Sequence, residues 1–266
     1  MKKFMALLLV AGMTLSLTAC GGSTDTAKTD QADGKDTFTV GFDQDFPPFG
    51  YVGDDGEFTG FDIEMATECA ARMGKKIVLQ PIDWDAKDME LEAGTIDCIW
   101  NGFTMNGRED QYTWTDPYMD NSQVVVVKKD SGINTLADLA GKVVEVQKES
   151  AAETALNDEE HADLMASFAQ LLSVGEYNTA FMDLESGAVD AVAIDIGVAQ
   201  FQIEGKEDQY QILDETISSE QYAVGFKKGN ETLRDQVQNT LNEMKSDGTF
   251  KTIAEKWDLQ DSVILD

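Results

Sequence analysis

The chain has 266 residues, 42% hydrophobic and 26% charged, and its 50 Asp+Glu against 20 Lys+Arg give a formal net charge of −30. That length allows one or two buried cores, and the composition excludes wholesale disorder, a fibrous chain and a small disulfide scaffold. The acidic balance excludes a nucleic-acid or anionic-membrane binder, which needs clustered cations; it reads as a solvated surface or, more sharply, as an attraction for cationic ligands.

In chain order, Lys2 and Lys3 precede an apolar stretch from Phe4 to Val10 that continues through Leu15 and Leu17. It is too short for a comfortable membrane span and reads as a secretory signal. The segment ends in Leu17-Thr18-Ala19-Cys20, which resembles the bacterial lipoprotein processing box. That resemblance implies removal of residues 1–19 and a lipid on the Cys20 thiol. Residues 20–36 are rich in Gly, Ser, Thr and Asp and predict a flexible tether.

The body opens with a strand at 37–42, then a hairpin turn at Asp54 in DDGE, which lacks the spacing of a calcium loop. A helix follows over 62–73, with Asp62 and Glu64 in its first turn, then a strand at 77–79. Residues 89–99 (MELEAGTIDCI) recur as residues 182–192 (MDLESGAVDAV) at an offset of 93, each predicting a helix end, a Gly cap and a buried strand. An aromatic stands at equivalent places upstream, Trp84 and Tyr177. Strands at 143–146 and 191–194, with helices starting at 151 and spanning 178–186, complete a second βαβ pattern. Two similar α/β lobes follow, with mostly parallel sheets and helices on both faces. A strand at 221–226 and two closing helices, one carrying Leu233, Val237, Leu241 and Met244 and one after Gly248, end the chain.

Cys69 and Cys98 fall on a helix and a strand, and two buried thiols are favoured over a disulfide. His161, the only histidine, sits in NDEEHADL, a solvated helical face rather than a metal site. No Walker A run, G-x-S-x-G or H-E-x-x-H is present, so no catalytic residue, cofactor or metal is assigned.

The run from Gly41 to Gly74, with GFDIEM at residues 60–65, strongly resembles the start of the bacterial extracellular solute-binding proteins of the polar amino acid uptake family. The resemblance continues through TWTDPYMDNSQVVVV, GKVVEVQKESAAE and SDGTFKTIAEKW. It implies a type II periplasmic-binding-protein-like clamp, lobe 1 taking residues 37–126 plus 222–266 and lobe 2 residues 127–221. It further implies a monomer, anchored outside the cytoplasm, that closes around one free L-amino acid. The closed protein would then dock onto an ABC transporter permease driven by a cytoplasmic ATPase. A tethered sensor subunit and a dehydratase-like enzyme are the alternatives on the same fold.

A zwitterion needs charge-assisted donors for its carboxylate and an anion for its ammonium. In open parallel sheets the site lies beyond the carboxyl ends of strands, which points to residues 100–108 and to Asp195 onward. Arg108, after NGFTMNG at 101–107, resembles the family's carboxylate clamp; Asn101, Gly102 and Thr104 belong to that turn, Thr104 offering hydroxyl and N–H. Ser150 resembles the opposing hydroxyl, with Glu149 where a glycine is usual, or else it only caps its own helix. Asp195 is assigned the ammonium. Phe46 and Trp84 match the aromatic pair around the ligand side chain. Asp43 either reaches the far end of the pocket or fixes the turn at Pro47-Pro48. With Asp43 and Glu149 near the side-chain end, a cationic or neutral polar amino acid is favoured.

Overall fold

The computed structural model describes residues 35–265, so the signal segment, Cys20 and most of the tether lie outside the described residues. Among these residues no helix is long and apolar enough to cross a membrane, and no His/Cys/Asp/Glu group could hold a metal ion.

Two sheets organise the chain. In the first, strand Thr37–Phe42 pairs in parallel with Lys76–Pro81 on one side and Cys98–Ile99 on the other; Gly225–Phe226 and Thr113–Trp114 follow antiparallel. In the second, Val143–Gln147 lies in parallel between Gln170–Val174 and Ala191–Asp195, and the long strand Met119–Lys128 runs antiparallel to Ala191–Asp195, Tyr210–Ile212 and Ser218–Tyr222. Both sheets are therefore mixed. The βαβ signals register the parallel halves, whereas the antiparallel halves belong to strands that enter or leave a lobe. A small antiparallel sheet of Asp45–Phe46, Gly50–Val52 and Phe58–Thr59 turns at Gly56, where DDGE predicts a hairpin.

The expected lobe boundary at residue 126 falls inside the strand Met119–Lys128. That strand is held to the second sheet along its whole length, from Met119 opposite Tyr222 to Lys128 opposite Tyr210, so the chain changes sheet between Trp114 and Met119. The strand expected at 221–226 is two strands, Ser218–Tyr222 in the second sheet and Gly225–Phe226 in the first, because the chain crosses back between them.

The repeat is visible as duplicated chemistry. Helices Lys87–Ala93 and Tyr177–Ser186 both end on a glycine in the left-handed region, Gly94 (φ 74°) and Gly187 (φ 82°), where a side chain would be strained. The equivalent aspartates Asp97 and Asp190 each accept a strand N–H, from Thr39 (2.8 Å) and Val143 (2.9 Å). Helix Phe61–Arg72 buries Phe61, Met65, Ala66 and Cys69 at helical spacing against Leu233, Val237, Leu241 and Met244 of Glu231–Asp247 and Phe250 of Thr249–Lys256, in one core. Cys69 and Cys98 are free thiols within it. His161 follows Glu159 and Glu160 in a turn that buries no residue.

Candidate functional site

A narrow, nearly closed cleft lies between the lobes. Phe46, Trp84, Asn101, Gly102, Thr104 and Arg108 line it from the first-sheet side, and Gln147, Ser150, Ala151 and Asp195 from the second. Asn101 follows the strand Cys98–Ile99, Ser150 follows Val143–Gln147, and Asp195 ends Ala191–Asp195. The wall is thus built at the carboxyl ends of parallel strands, where backbone groups leave the ladders and become available.

The turn after Cys98–Ile99 is fixed from below. Gly102 (φ 56°) donates its N–H to Asp62 Oδ2 at 2.6 Å, and a Cβ there would lie 3.0 Å from Phe46 and 3.1 Å from Tyr222. Glycine is required both by the backbone angle and by the space. Asp62 is fully buried, also accepts the Tyr118 hydroxyl at 2.9 Å, and has its carboxyl pushed up to about 7 by that burial. The first-turn position in helix Phe61–Arg72 gave no hint of this role, since acids are common there for helix-dipole reasons.

Asn101 accepts the Asp43 N–H at 2.8 Å through Oδ1, while its buried Nδ2 has no partner. That nitrogen packs against Gly50, where an added Cβ would lie 2.8 Å from it. Thr104 pairs with Tyr222 across an antiparallel bridge whose bonds run from Met105 and Ala223, so the Thr104 N–H takes no part in the ladder. Its hydroxyl donates to Glu220 at 2.8 Å, so the Oγ1 lone pairs are left for the cleft.

Arg108 forms no ion pair among the described residues, with Glu109 and Asp110 or any other acid. Its guanidinium donates to the carbonyls of Thr104 (3.2 Å) and, across the cleft, Glu149 (3.3 Å), and lies 5.5 Å over the Phe103 ring. Ser150 does cap its helix, accepting the Glu153 N–H at 3.1 Å, and its own O–H remains free to donate. Glu149 adopts φ 57°, the left-handed conformation for which glycine is the usual residue.

Asp195 stands at the N-cap of helix Ile196–Ile203 without capping it. Its Oδ1 instead accepts from Asn121 (2.8 Å), Gln123 (2.8 Å) and the Tyr222 hydroxyl (2.5 Å). Burial first, and the Glu220 charge second, push its carboxyl up to about 7.

Phe46 stacks 6.1 Å from Tyr177 and 5.7 Å from Phe49, and Trp84 meets Phe103 edge-on at 5.5 Å. Asp43 is not on the cleft wall. It is held by the Gln147 Nε2–H (2.6 Å) and the Asp45 N–H (2.8 Å), with burial raising its carboxyl to about 6. It lines an adjoining opening that shares Trp84 and is bordered by Asp45, Asp83, Asp85, Glu90 and Glu176. Residues 147 and 151 and the buried group of Asn121, Gln123 and Glu220 escaped the sequence reading. Alternation in the strand Met119–Lys128 places 119, 121 and 123 on one face, a signal that polar residues interrupt an apolar strand.

Two α/β lobes with an amphoteric cleft between them define a ligand-capturing clamp. The chain belongs to the bacterial extracellular solute-binding proteins, family 3, which it matches over residues 38–260. It is 31% identical over 256 residues to the L-cystine-binding protein TcyJ of Escherichia coli K12, covering 95% of this chain and 92% of that one. It is 30% identical over 261 residues to the arginine-binding extracellular protein ArtP of Bacillus subtilis 168, covering 97% and 98%. A crystal structure of an ABC uptake transporter substrate-binding protein from Streptococcus pneumoniae with bound histidine superposes with a TM-score of 0.79 at 33% identity, covering 84% and 92%.

Proposed function

We propose that this protein captures one free α-amino acid outside the cytoplasm and delivers it to an ABC transporter permease served by a cytoplasmic ATPase. The observation that carries the reading is the pairing of Arg108, a guanidinium without a carboxylate partner, with Asp195, a buried carboxylate without a cation, on opposite walls of one cleft. Arg108, the Thr104 N–H and the Ser150 hydroxyl take the carboxylate; Asp195 and the Thr104 hydroxyl oxygen take the ammonium. The side chain passes Phe46 and Trp84 toward Asp43 and the acidic opening beyond it, which favours a cationic or neutral polar residue. Relatives named for cystine and arginine, and a similar structure with bound histidine, are in keeping with that range.

In this reading Cys20 carries the lipid anchor, the protein works as a monomer, and it binds its ligand without transforming it. Lobe 1 extends to about residue 118 and resumes near residue 223, with the hinges at those two crossings. A thermal-shift screen against the twenty amino acids, ornithine, citrulline and cystine tests the function, because a ligand that binds only the native state raises the melting temperature. A shift with one or two of them identifies the cargo; no shift with any, after denaturation and refolding to strip carried-over ligand, rejects the reading.

A further inference from the structure

Behind the cleft, Asp195 and Glu220 form a pair of buried carboxylates, 4% and 7% exposed. Asn121 Nδ2 donates to both, at 2.8 Å and 2.7 Å, and Gln123 Nε2 donates to both at 2.8 Å. Both amides thus bridge the same two acceptor oxygens, Asp195 Oδ1 and Glu220 Oε1. Tyr222 adds a donor to Asp195 and Thr104 one to Glu220. Every one of these donors is neutral. The other titratable groups facing the pair are the Tyr177 hydroxyl and, past Tyr222, Tyr118 with Asp62; Arg108 is turned to the carbonyls of Thr104 and Glu149. No cation among the described residues offsets the two charges.

Two like charges this close in a buried site cannot both ionise cheaply, whereas one charge and one proton can be held by the same hydrogen bonds. We propose that Asp195, set beside the buried Glu220 side chain, holds a proton in the unliganded protein, and that the ammonium of an entering amino acid displaces it. Glu220 is thereby a positioning residue that sets the charge of the ammonium site and orients Thr104. The proposal rests on the reading of the cleft as an α-amino acid site. The proton leaves the carboxyl oxygen for water or buffer as the ammonium, keeping its own three hydrogens, donates to Asp195. The pair with its proton carries −1, and the ionised pair with an ammonium also carries −1, so the buried charge is the same before and after binding. The raised carboxyl of Asp195, titrating at about 7, is in keeping with this exchange.

The test is titration calorimetry of the purified protein at pH 7 with L-arginine, L-lysine, L-glutamine and L-cystine, repeated in buffers of different ionisation enthalpy. The tightest binder is expected to release a fraction of a proton that grows as pH falls from 7 to 5, and its affinity to fall by up to about tenfold per pH unit over that range. Glu220→Gln keeps an acceptor oxygen but removes the second charge; because burial still raises Asp195, it should release a smaller fraction of a proton than the wild type at pH 7 and lessen that slope without abolishing it. Binding with no buffer dependence in the wild type overturns the proposal and leaves the amino acid reading standing, and that result does not depend on the variant folding. Undiminished release by Glu220→Gln also overturns it. Absence of binding to all four probes and to L-histidine and L-ornithine under the same conditions overturns the cationic or neutral polar reading and the proposal together.

Discussion

The Lys87 ammonium, 3% exposed in the first lobe, lies 3.0 Å from the Glu149 carboxylate of the second. Glu149 occupies a left-handed conformation that costs a non-glycine residue of order 1 kcal/mol. Its side chain gives a reason for the departure from glycine: only a side chain there can reach across the cleft. Lys148 repeats the contact with reversed charges, pairing with Asp85 of the first lobe at 2.7 Å. The two bridges, with the Gln147–Asp43 and Asn178–Asp45 hydrogen bonds at 2.6 Å and 2.8 Å, latch the lobes together beside the cleft. Glu149→Gln leaves the buried Lys87 without its counter-charge in the closed form. With the carboxylate half exposed, the expected cost is about 1 kcal/mol, a roughly fivefold loss of ligand affinity, with a larger radius of gyration by small-angle scattering. An unchanged affinity would remove the latch from the binding equilibrium.

Arg108 and Asp195 should behave as unequal halves of one trap. Asp195→Ala removes a buried carboxylate and strands the Tyr222 hydroxyl and one N–H each of Asn121 and Gln123, which keep Glu220 as their other acceptor, so both stability and affinity fall, the affinity by at least about a hundredfold. Arg108 is only half-buried and bonded to two carbonyls, so Arg108→Ala should lower affinity by a similar factor with little change in melting temperature. Calorimetry paired with thermal melts separates the two. Micromolar binding by both variants would remove them from the site.

The parts of this architecture that were legible in the sequence are those with local causes. The duplicated helix, Gly94 or Gly187 cap and strand announce two lobes because each copy must satisfy the same backbone groups. Arg108 and Asp195 stand out because a guanidinium after a glycine-rich turn and a carboxylate ending an apolar strand are expensive unless used. Glu220, Asn121 and Gln123 were not legible, since they gain their meaning only when Met119–Lys128 and Ser218–Tyr222 pair and bring Asn121 directly opposite Glu220. The sheet change before Met119 was hidden for a similar reason. The valine run at 124–127 marks a strand, but nothing local says which sheet that strand joins.

Stability should depend on pH in the direction opposite to that of a protein rich in buried ion pairs. Asp43, Asp62 and Asp195 have folded-state carboxyls at about 6, 7 and 7 against an ordinary value of 3.8. A carboxyl raised on folding is more readily held protonated by the native state, so its contribution is fully present below pH 4 and is lost as pH rises from about 4 to 7. Repulsion within a chain of net charge −30 acts the same way as pH increases. The unliganded protein should therefore melt at least about 5 °C higher at pH 5 than at pH 8 in matched low salt. A higher melting temperature at pH 8 would show that these carboxyls are ionised and well solvated in the native state.

Asp62 supplies the sharpest separation between a positioning and a binding role. It sits beneath the cleft wall and holds the Gly102 N–H and the Tyr118 hydroxyl with a fully buried carboxyl. Asp62→Ala leaves both donors buried and unpaired, at a cost of about 1–3 kcal/mol each, and frees the turn that carries Asn101 and Gly102. Asp62→Asn keeps an oxygen for the Gly102 N–H and offers an amide to the tyrosine oxygen, which turns its hydroxyl away. The alanine variant should lower the melting temperature by about 5–10 °C and weaken ligand binding at least about tenfold, while the asparagine variant keeps most of both. If the two variants lose affinity equally, the carboxylate charge itself acts on the ligand and Asp62 belongs to the binding site rather than beneath it.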